Sequence, residues 1–185
     1  MKSTIGEGIQ ASLSLSIKSH KDDGMVKCRA IRGGKPYSFA GASKWIISTL
    51  RPILKSKPHL VADSKSLVDA FRSDGCDYTG CHFVTADIKD FYLSGSFDDI
   101  QNFASMSFNG SERDIIRRVI SFLLTTQYIG SEALPGRAWE ICSGTGIGLV
   151  HSGEVTDLVF YNMVEKDLLT ESVLEAYEIK RYFRY

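Results

Sequence analysis

The spacing of the apolar residues changes repeatedly along this chain between the period of a strand and that of a helix, and this limits the possible folds most strongly. Residues 10–18 alternate apolar and small polar side chains, as a half-buried strand does. Residues 40–54 and 111–125 instead carry apolar side chains at three- and four-residue spacings, which predicts amphipathic helices. Both patterns together predict a mixed layer of strands and helices rather than an all-helical bundle.

The predicted elements form an ordered series from a first hairpin to a final strand. The strands are expected at Gln10–Lys18, Met25–Ile31, His82–Ile88 and Tyr177–Tyr185, with a second hairpin from 128–129 and 138–141 around the turn residues Pro135 and Gly136. The helices are expected at Ala40–Leu54, from Asp63 or Ser64 to Arg72, at Asp98–Met106, at Ser111–Thr125 and at Ser152–Ser172. The last helix is expected to bury Val155, Leu158, Val159, Met163, Val164 and Leu168.

Composition and charge exclude several classes of protein. The 185 residues are 43% hydrophobic and 24% charged, so the chain can build a core and is not a disordered or low-complexity protein. Lys plus Arg and Asp plus Glu both number 22, which excludes a basic tail as the whole binding mechanism but leaves a basic groove open. No secretory signal, paired CxxC spacing or membrane-length apolar run is visible, so we expect reduced thiols inside the cell and no membrane contact.

Asp87 is the first candidate functional residue, because it closes the predicted buried strand His82–Ile88. A carboxylate at a strand end is suited to a hard divalent cation that prefers oxygen ligands. Taken alone, Asp87 is more simply interpreted as a surface aspartate or a helix cap. Tyr92 follows five residues later, where the chain turns away from the strand, and its ring is expected beside the same site.

The second candidate is the glycine-rich turn Gly144–Gly148, which precedes the last long helix. Such a turn can hold a phosphate at a helix N-terminus, but neither a GxGxxG nor a GK[ST] spacing is present. A tight strand-to-helix connection is an equal alternative.

A group of basic side chains near the tip of the first hairpin is a third candidate, either as a solvated turn or as a contact for a phosphate backbone. Its members are Lys18, His20, Lys21, Lys27 and Arg29. The spacing of Cys76, Cys81 and His82 does not match a standard zinc site.

Read in order, these segments resemble the fingers and palm of a reverse transcriptase, most nearly the Penelope-like and telomerase-related type of eukaryotic retroelements. The similar segments are KSHKDDGMVKCRAI, RPILKSKPHLVADSKSLVDAF, VTADIKDFYLS, GTGIGLVHSGEVTDLVFYNMVE and IKRYFRY, which together span residues 15 to 185. The resemblance implies an α+β fold with an N-terminal β-hairpin, helices and a small, mostly antiparallel palm sheet packed on helices. It implies a fingers-like region at residues 1–75 and a partial palm-like region at residues 76–185.

The resemblance also implies an activity, RNA-directed DNA polymerase, with two-metal nucleotidyl transfer in the parent protein. Asp87 would be the catalytic carboxylate and, with the carbonyl of Ile88, would bind Mg²⁺ or alternatively Mn²⁺. The implied nucleotide-binding residues are Lys18, Lys21, Arg29, Tyr92 and Gly148. The implied partners are an RNA or DNA template–primer and deoxynucleoside triphosphates, in the nucleus or the cytoplasm.

The sequence departs from the family pattern at three places. Ala30 stands where the family has Pro, and Leu149-Val150 stand where it has Ser-Pro. The family's Asp-Asp pair would follow the predicted strand Tyr177–Tyr185, and the sequence stops at Tyr185. We therefore expect the 185-residue chain to be inactive, and to self-associate through the exposed edge of that strand. The alternatives are a non-catalytic remnant that binds nucleic acid or is only structural, and a small α/β domain without an active site.

Overall fold

A computed structural model describes residues 11–17, 28–33, 39–92, 94–131 and 134–185. It has a mixed α+β fold, as the periodicity predicts. The strands are β1 (Ala11–Ile17), β2 (Cys28–Gly33), β3 (Tyr128–Ser131) and β4 (Leu134–Glu140). The helices are α1 (Ala40–Lys55), α2 (Ser64–Ser73), α3 (Phe97–Ser105), α4 (Gly110–Thr125), α5 (Ser152–Phe160), a π-helical turn (Tyr161–Glu165), α6 (Lys166–Leu168) and α7 (Glu171–Ala176).

The four strands form one sheet in the order β2-β1-β3-β4. The pairs β1–β2 and β3–β4 are antiparallel hairpins, and β1 and β3 join them in parallel through Ala11↔Ile129 and Ser12↔Gly130. Both predicted hairpins are therefore confirmed. Pro135 and Gly136 lie within β4 and not in the turn where they were expected. The tip of the first hairpin, with Lys18, His20, Lys21 and Lys27, lies outside the described residues.

The core lies where α1, α3, α4 and α5 pack together. Their apolar stripes recur every three or four residues, so each helix turns one face inward. Removing these side chains from water stabilises the fold by roughly 1.5–3 kcal/mol for each large residue. The predicted division at residue 75 remains a prediction, although α1 shares this core with helices from beyond it. The fully buried side chains include Ile46, Leu50, Ala104, Ile116, Leu123, Leu124, Val155 and Leu158.

The helix α5 buries Val155 and Leu158 as predicted, but the π-helical turn after it buries a different set of residues from the expected one. Met163 is 58% exposed, and Val164 and Leu168 are more than a third exposed, at 37% and 39%. The buried stripe instead continues from Leu158 through Asn162 to Glu165. Burial of a carboxylate is costly unless donors surround it, and the hydrogen bonds described below supply them. The prediction that Met163, Val164 and Leu168 are buried was wrong, because Asn162 and Glu165 occupy the buried positions of this turn instead.

The predicted strand His82–Ile88 is not formed. These residues run without regular secondary structure, and Phe83 and Val84 are 76% and 90% exposed. An extended segment becomes a strand only when a neighbour completes its backbone hydrogen bonds. None of the described strands lies beside residues 82–88, so the apolar run has no partner and no sheet to be buried in.

The predicted strand Tyr177–Tyr185 is also not formed. After α7 the chain makes a turn at residues 177–178 and has no regular secondary structure beyond a single bridge that pairs Leu60 with Arg184. The backbone N–H of Val61 donates to Arg184 O, and that of Arg184 to His59 O, both at 2.9 Å. The strand edge on which self-association was argued is therefore missing, and self-association remains a prediction without that support. In the described part of the chain, no helix has both the length and the apolar content needed to cross a membrane.

Candidate functional site

The loop that carries Tyr92 is hydrogen-bonded to the glycine-rich turn Gly144–Gly148. The backbone N–H of Gly146 donates to Tyr92 O at 2.9 Å, and that of Gly144 donates to Gly95 O at 3.0 Å. The hydroxyl of Thr145 lies 3.5 Å from Tyr92 O, at the limit for a hydrogen bond. Two segments that the sequence analysis selected separately are thus held in direct contact.

The conformation of this turn depends on glycine. Gly146 and Gly148 have φ values of 84° and 97°, in the left-handed region that other residues enter only with strain. The turn is also bound to the start of α5, because Ser152 Oγ donates to Thr145 O at 2.8 Å. Gly146 is buried below the loop, whereas Gly148 is exposed. An exposed glycine after a fixed turn allows a ligand to approach the backbone closely.

Arg184 brings a third segment to the same place. Its guanidinium lies 5.2 Å from the ring centre of Phe160 and 5.9 Å from that of Phe91. The Phe91 ring in turn meets the Tyr92 ring edge-on, at 5.1 Å between centres. Tyr92 is half-buried, and its pKa is raised by burial and, to a smaller extent, by the charge of Asp157. The phenol therefore stays neutral and can only exchange hydrogen bonds.

Arg184 is anchored by Glu165, whose side chain is 0% exposed. Arg184 Nε donates to Glu165 Oε1 at 2.7 Å and Nη2 donates to Oε2 at 3.0 Å, which is a two-point contact. Tyr182 Oη donates to Oε1 at 2.8 Å, and His59 Nε2 lies 3.2 Å from Oε2. Burial alone would raise the pKa of Glu165, but the hydrogen bonds of Arg184 and Tyr182 and the charge of Arg184 hold it below its usual value.

Asp157 is the second carboxylate bound by Arg184, and its side chain is 36% exposed. It accepts a hydrogen bond from Arg184 Nη1, while its backbone carbonyl accepts one from Nη2 at 3.2 Å. Burial raises the pKa of Asp157, and the nearby positive charge of Arg184 opposes that rise. One arginine thus binds two carboxylates, of which Glu165 is fully buried and Asp157 is partly exposed.

Sequence reasoning did not select Glu165 or Arg184 as functional residues. One signal was available: Asn162 and Glu165 stand three or four residues after buried positions of the same helix, where a helical period calls for apolar side chains. A carboxylate on a core stripe implies a buried cation elsewhere in the chain. Which cation it meets depends on the path of residues 177–185, and no local pattern shows that path.

A buried histidine lies behind the glycine-rich turn. Ser43 Oγ of α1 is 3.0 Å from His151 Nδ1, and both side chains are almost completely buried. Nε2 of His151 has no hydrogen-bond partner in the described part of the chain. Burial lowers the pKa of His151 to about 4, because a charged imidazole would lack water. The pair ties α1 to the residue that precedes α5.

The predicted metal ligands lie on the extended segment before the Tyr92 loop. Asp87 is exposed and makes no hydrogen bond or ion pair with another described residue, so its carboxylate is available. Asp87 and the Ile88 carbonyl offer the oxygen ligands that Mg²⁺ prefers. Among the described residues, no group of three or more His, Cys, Asp or Glu side chains could hold a metal ion. A cation at Asp87 would therefore need oxygen ligands beyond those that the described residues bring together.

The structure describes only some of the remaining predicted site residues. Lys18 and Lys21 lie outside the described residues, and Arg29 is described by its backbone in β2, opposite Ser16. Tyr92 and the turn containing Gly148 are together, and Arg184 joins them from the C-terminal segment. No protein-family model matches this chain, and no curated protein matches it either.

Proposed function

We propose that this chain is the fingers and partial palm of a retroelement RNA-directed DNA polymerase. The contact between the Tyr92 loop and the glycine-rich turn carries the proposal. These two segments resemble the family's first palm motif and its glycine-containing motif. In a polymerase both motifs serve one nucleotide site, and their direct hydrogen bonding supports the reading.

The roles of the residues follow from their chemistry. Tyr92 presents one side of its ring to a bound nucleotide sugar and excludes a 2′-hydroxyl by contact. Gly148, which lacks a side chain, allows the template–primer to approach the backbone. Lys18, Lys21 and Arg29 bind phosphates, those of the triphosphate and those of the template–primer backbone, through charge-assisted hydrogen bonds. Asp87 and the carbonyl of Ile88 hold Mg²⁺ or Mn²⁺, which when bound stabilises the charge of the reacting phosphate.

The first test measures binding of a DNA primer on an RNA template to the 185-residue chain at several salt concentrations. We expect the affinity to fall as salt rises, because basic side chains release counterions from the phosphates. Replacing Lys21 and Arg29 together with glutamine is expected to weaken binding. It should also reduce the slope of log affinity against log salt by about 0.7–0.9 for each lost phosphate contact.

The matched control replaces Arg113 and Arg118 with glutamine, since both are exposed on α4 and have no role in the proposal. This variant removes the same formal charge and is expected to keep most of the affinity. Equal losses of affinity in the two double variants would show that binding depends on net charge and not on Lys21 and Arg29 in particular. Binding that ignores both salt and Lys21 would contradict a nucleic-acid site of this kind.

The catalytic role of Asp87 is tested in the parent polymerase by primer extension in Mg²⁺. Asp87→Asn is expected to abolish extension, because the amide lacks the negative charge that a divalent ion requires. Asp90→Asn is the control, as it alters a neighbouring aspartate that has no proposed ligand role. Undiminished extension by Asp87→Asn would remove the polymerase assignment. Binding without extension in the unmodified parent would favour the non-catalytic alternative.

A further inference from the structure

Glu165 is the most deeply buried charged side chain among the described residues, at 0% exposure, and polymerase chemistry gives it no direct role. We propose that Glu165 is a positioning residue: it holds Arg184 against Phe91 and thereby fixes the loop that carries Tyr92. This inference rests on the proposed function in one respect, namely that Tyr92 contacts a bound nucleotide. The mechanical link from Glu165 to Tyr92 stands on the contacts alone.

The first step of the link is the fixed orientation of Arg184. Two guanidinium nitrogens bind the two oxygens of Glu165, at 2.7 and 3.0 Å. Tyr182 and His59 occupy the remaining directions around the same carboxylate. A carboxylate surrounded on all sides cannot rotate without losing a buried hydrogen bond. The guanidinium plane is therefore fixed as well.

The second step runs from Arg184 to the loop. The guanidinium lies within 6 Å of the ring centres of Phe160 and Phe91, which is the range of a cation–π attraction. Phe91 also packs edge-on against Phe160, at 5.7 Å between ring centres. Because Phe91 and Tyr92 are adjacent and their rings touch, a displaced Phe91 moves Tyr92 too.

The second arginine of the C-terminal segment provides a natural comparison. Arg181 Nε donates to Asp74 Oδ2 at 3.0 Å, and Tyr78 donates to the same carboxylate. This pair also anchors residues 179–185, but none of its described contacts reaches residues 90–95. Loss of Asp74 therefore loosens the same segment without touching the Phe91 contact.

The experiment replaces Tyr92 with 3-fluorotyrosine in the full chain and records its ¹⁹F NMR signal. In Glu165→Gln, Arg184 loses one charged partner, and we expect the signal to move toward its unfolded position and to broaden. In Asp74→Asn, the matched change from acid to amide, we expect no shift. Each variant is measured at the same interval below its own unfolding temperature, so a general loss of stability affects both alike.

An unmoved signal in Glu165→Gln, or equal shifts in the two variants, would overturn the proposal. If Glu165→Gln does not fold, Arg184→Lys keeps the charge but loses the two-point contact and the flat cation over Phe91. The signal is expected to shift in the same direction there, and an unmoved signal overturns the proposal equally. Template–primer binding of the unmodified chain is measured separately. If the chain does not bind the template–primer but the Tyr92 signal shifts in Glu165→Gln, only the proposed function is overturned. If the chain binds the template–primer but the Tyr92 signal does not shift, only the positioning role is overturned.

Discussion

Replacing Arg184 with alanine is expected to reduce the free energy of unfolding at pH 7 by about 3–5 kcal/mol. The truncated side chain leaves the carboxylate of Glu165 inside the protein, and among the described residues only Tyr182 and His59 remain as its partners. A buried charge without its counter-charge costs far more than the pair contributes when it is intact. Denaturant unfolding followed by circular dichroism at pH 7 measures the loss.

The pH dependence of this variant distinguishes a buried charge from lost packing. In the unmodified chain the pKa of Glu165 lies below its unfolded value of about 4.5. Its stabilisation is therefore present above that pH and is lost as the pH falls through the folded pKa. Without Arg184, burial is expected to raise the pKa of Glu165 above its unfolded value, so the stability deficit of the variant shrinks as the pH falls through that raised pKa.

Arg181→Ala is the control for Arg184→Ala. Both arginines lie in the same segment and each binds a carboxylate, but the side chain of Arg181 is 41% exposed and that of Arg184 only 10%. Water can replace Arg181 around Asp74, so a much smaller loss is expected. Equal losses in the two variants would show that burial of Glu165 does not determine the effect.

Acid is expected to destabilise the protein through His151, by about 3 kcal/mol between pH 7 and pH 4. The pKa of His151 is about 4 in the folded protein and about 6.5 in the unfolded chain. The unfolded chain therefore takes up the proton first, and stability is complete above pH 6.5 and falls as the pH drops toward 4. The difference of about 2.5 pKa units corresponds to the stated loss.

The measurement compares unfolding free energies of the unmodified chain and His151→Asn across this pH range. Asparagine can keep the hydrogen bond to Ser43 but does not titrate, so its stability is expected to change less with pH. His82→Asn serves as the control because His82 is exposed, and its curve should run parallel to that of the unmodified chain. Parallel curves for all three would contradict a neutral, buried His151.

The helices were predictable because their information is local. The stripe of α4 and the cap of α2, where Asp63 Oδ1 accepts from Ser66 N at 2.7 Å, follow from residues only a few positions apart. The segments 82–88 and 177–185 were predicted as strands on equally clear local patterns, and neither forms one. A strand also requires a neighbour, and neighbours depend on the path of the whole chain.

The residues of the candidate site also fall into those that a local pattern indicates and those that depend on the path of the whole chain. Tyr92 and the glycine-rich turn were selected from short sequence patterns, and the contact between them became visible only in the fold. The Glu165–Arg184 pair joins residues that no short pattern relates. His151 was visible only as a residue after the turn, because its burial depends on α1 packing over it.

The exposed segment 82–88 has a consequence for what can cover Asp87. Its amide and carbonyl groups make no backbone hydrogen bonds to other described residues, and while the segment is exposed, hydration satisfies them. A purely apolar surface laid over Phe83 and Val84 would strip that water and leave polar groups without partners. Dehydration of this segment is favourable only beneath a partner that carries its own row of donors and acceptors, such as another extended backbone.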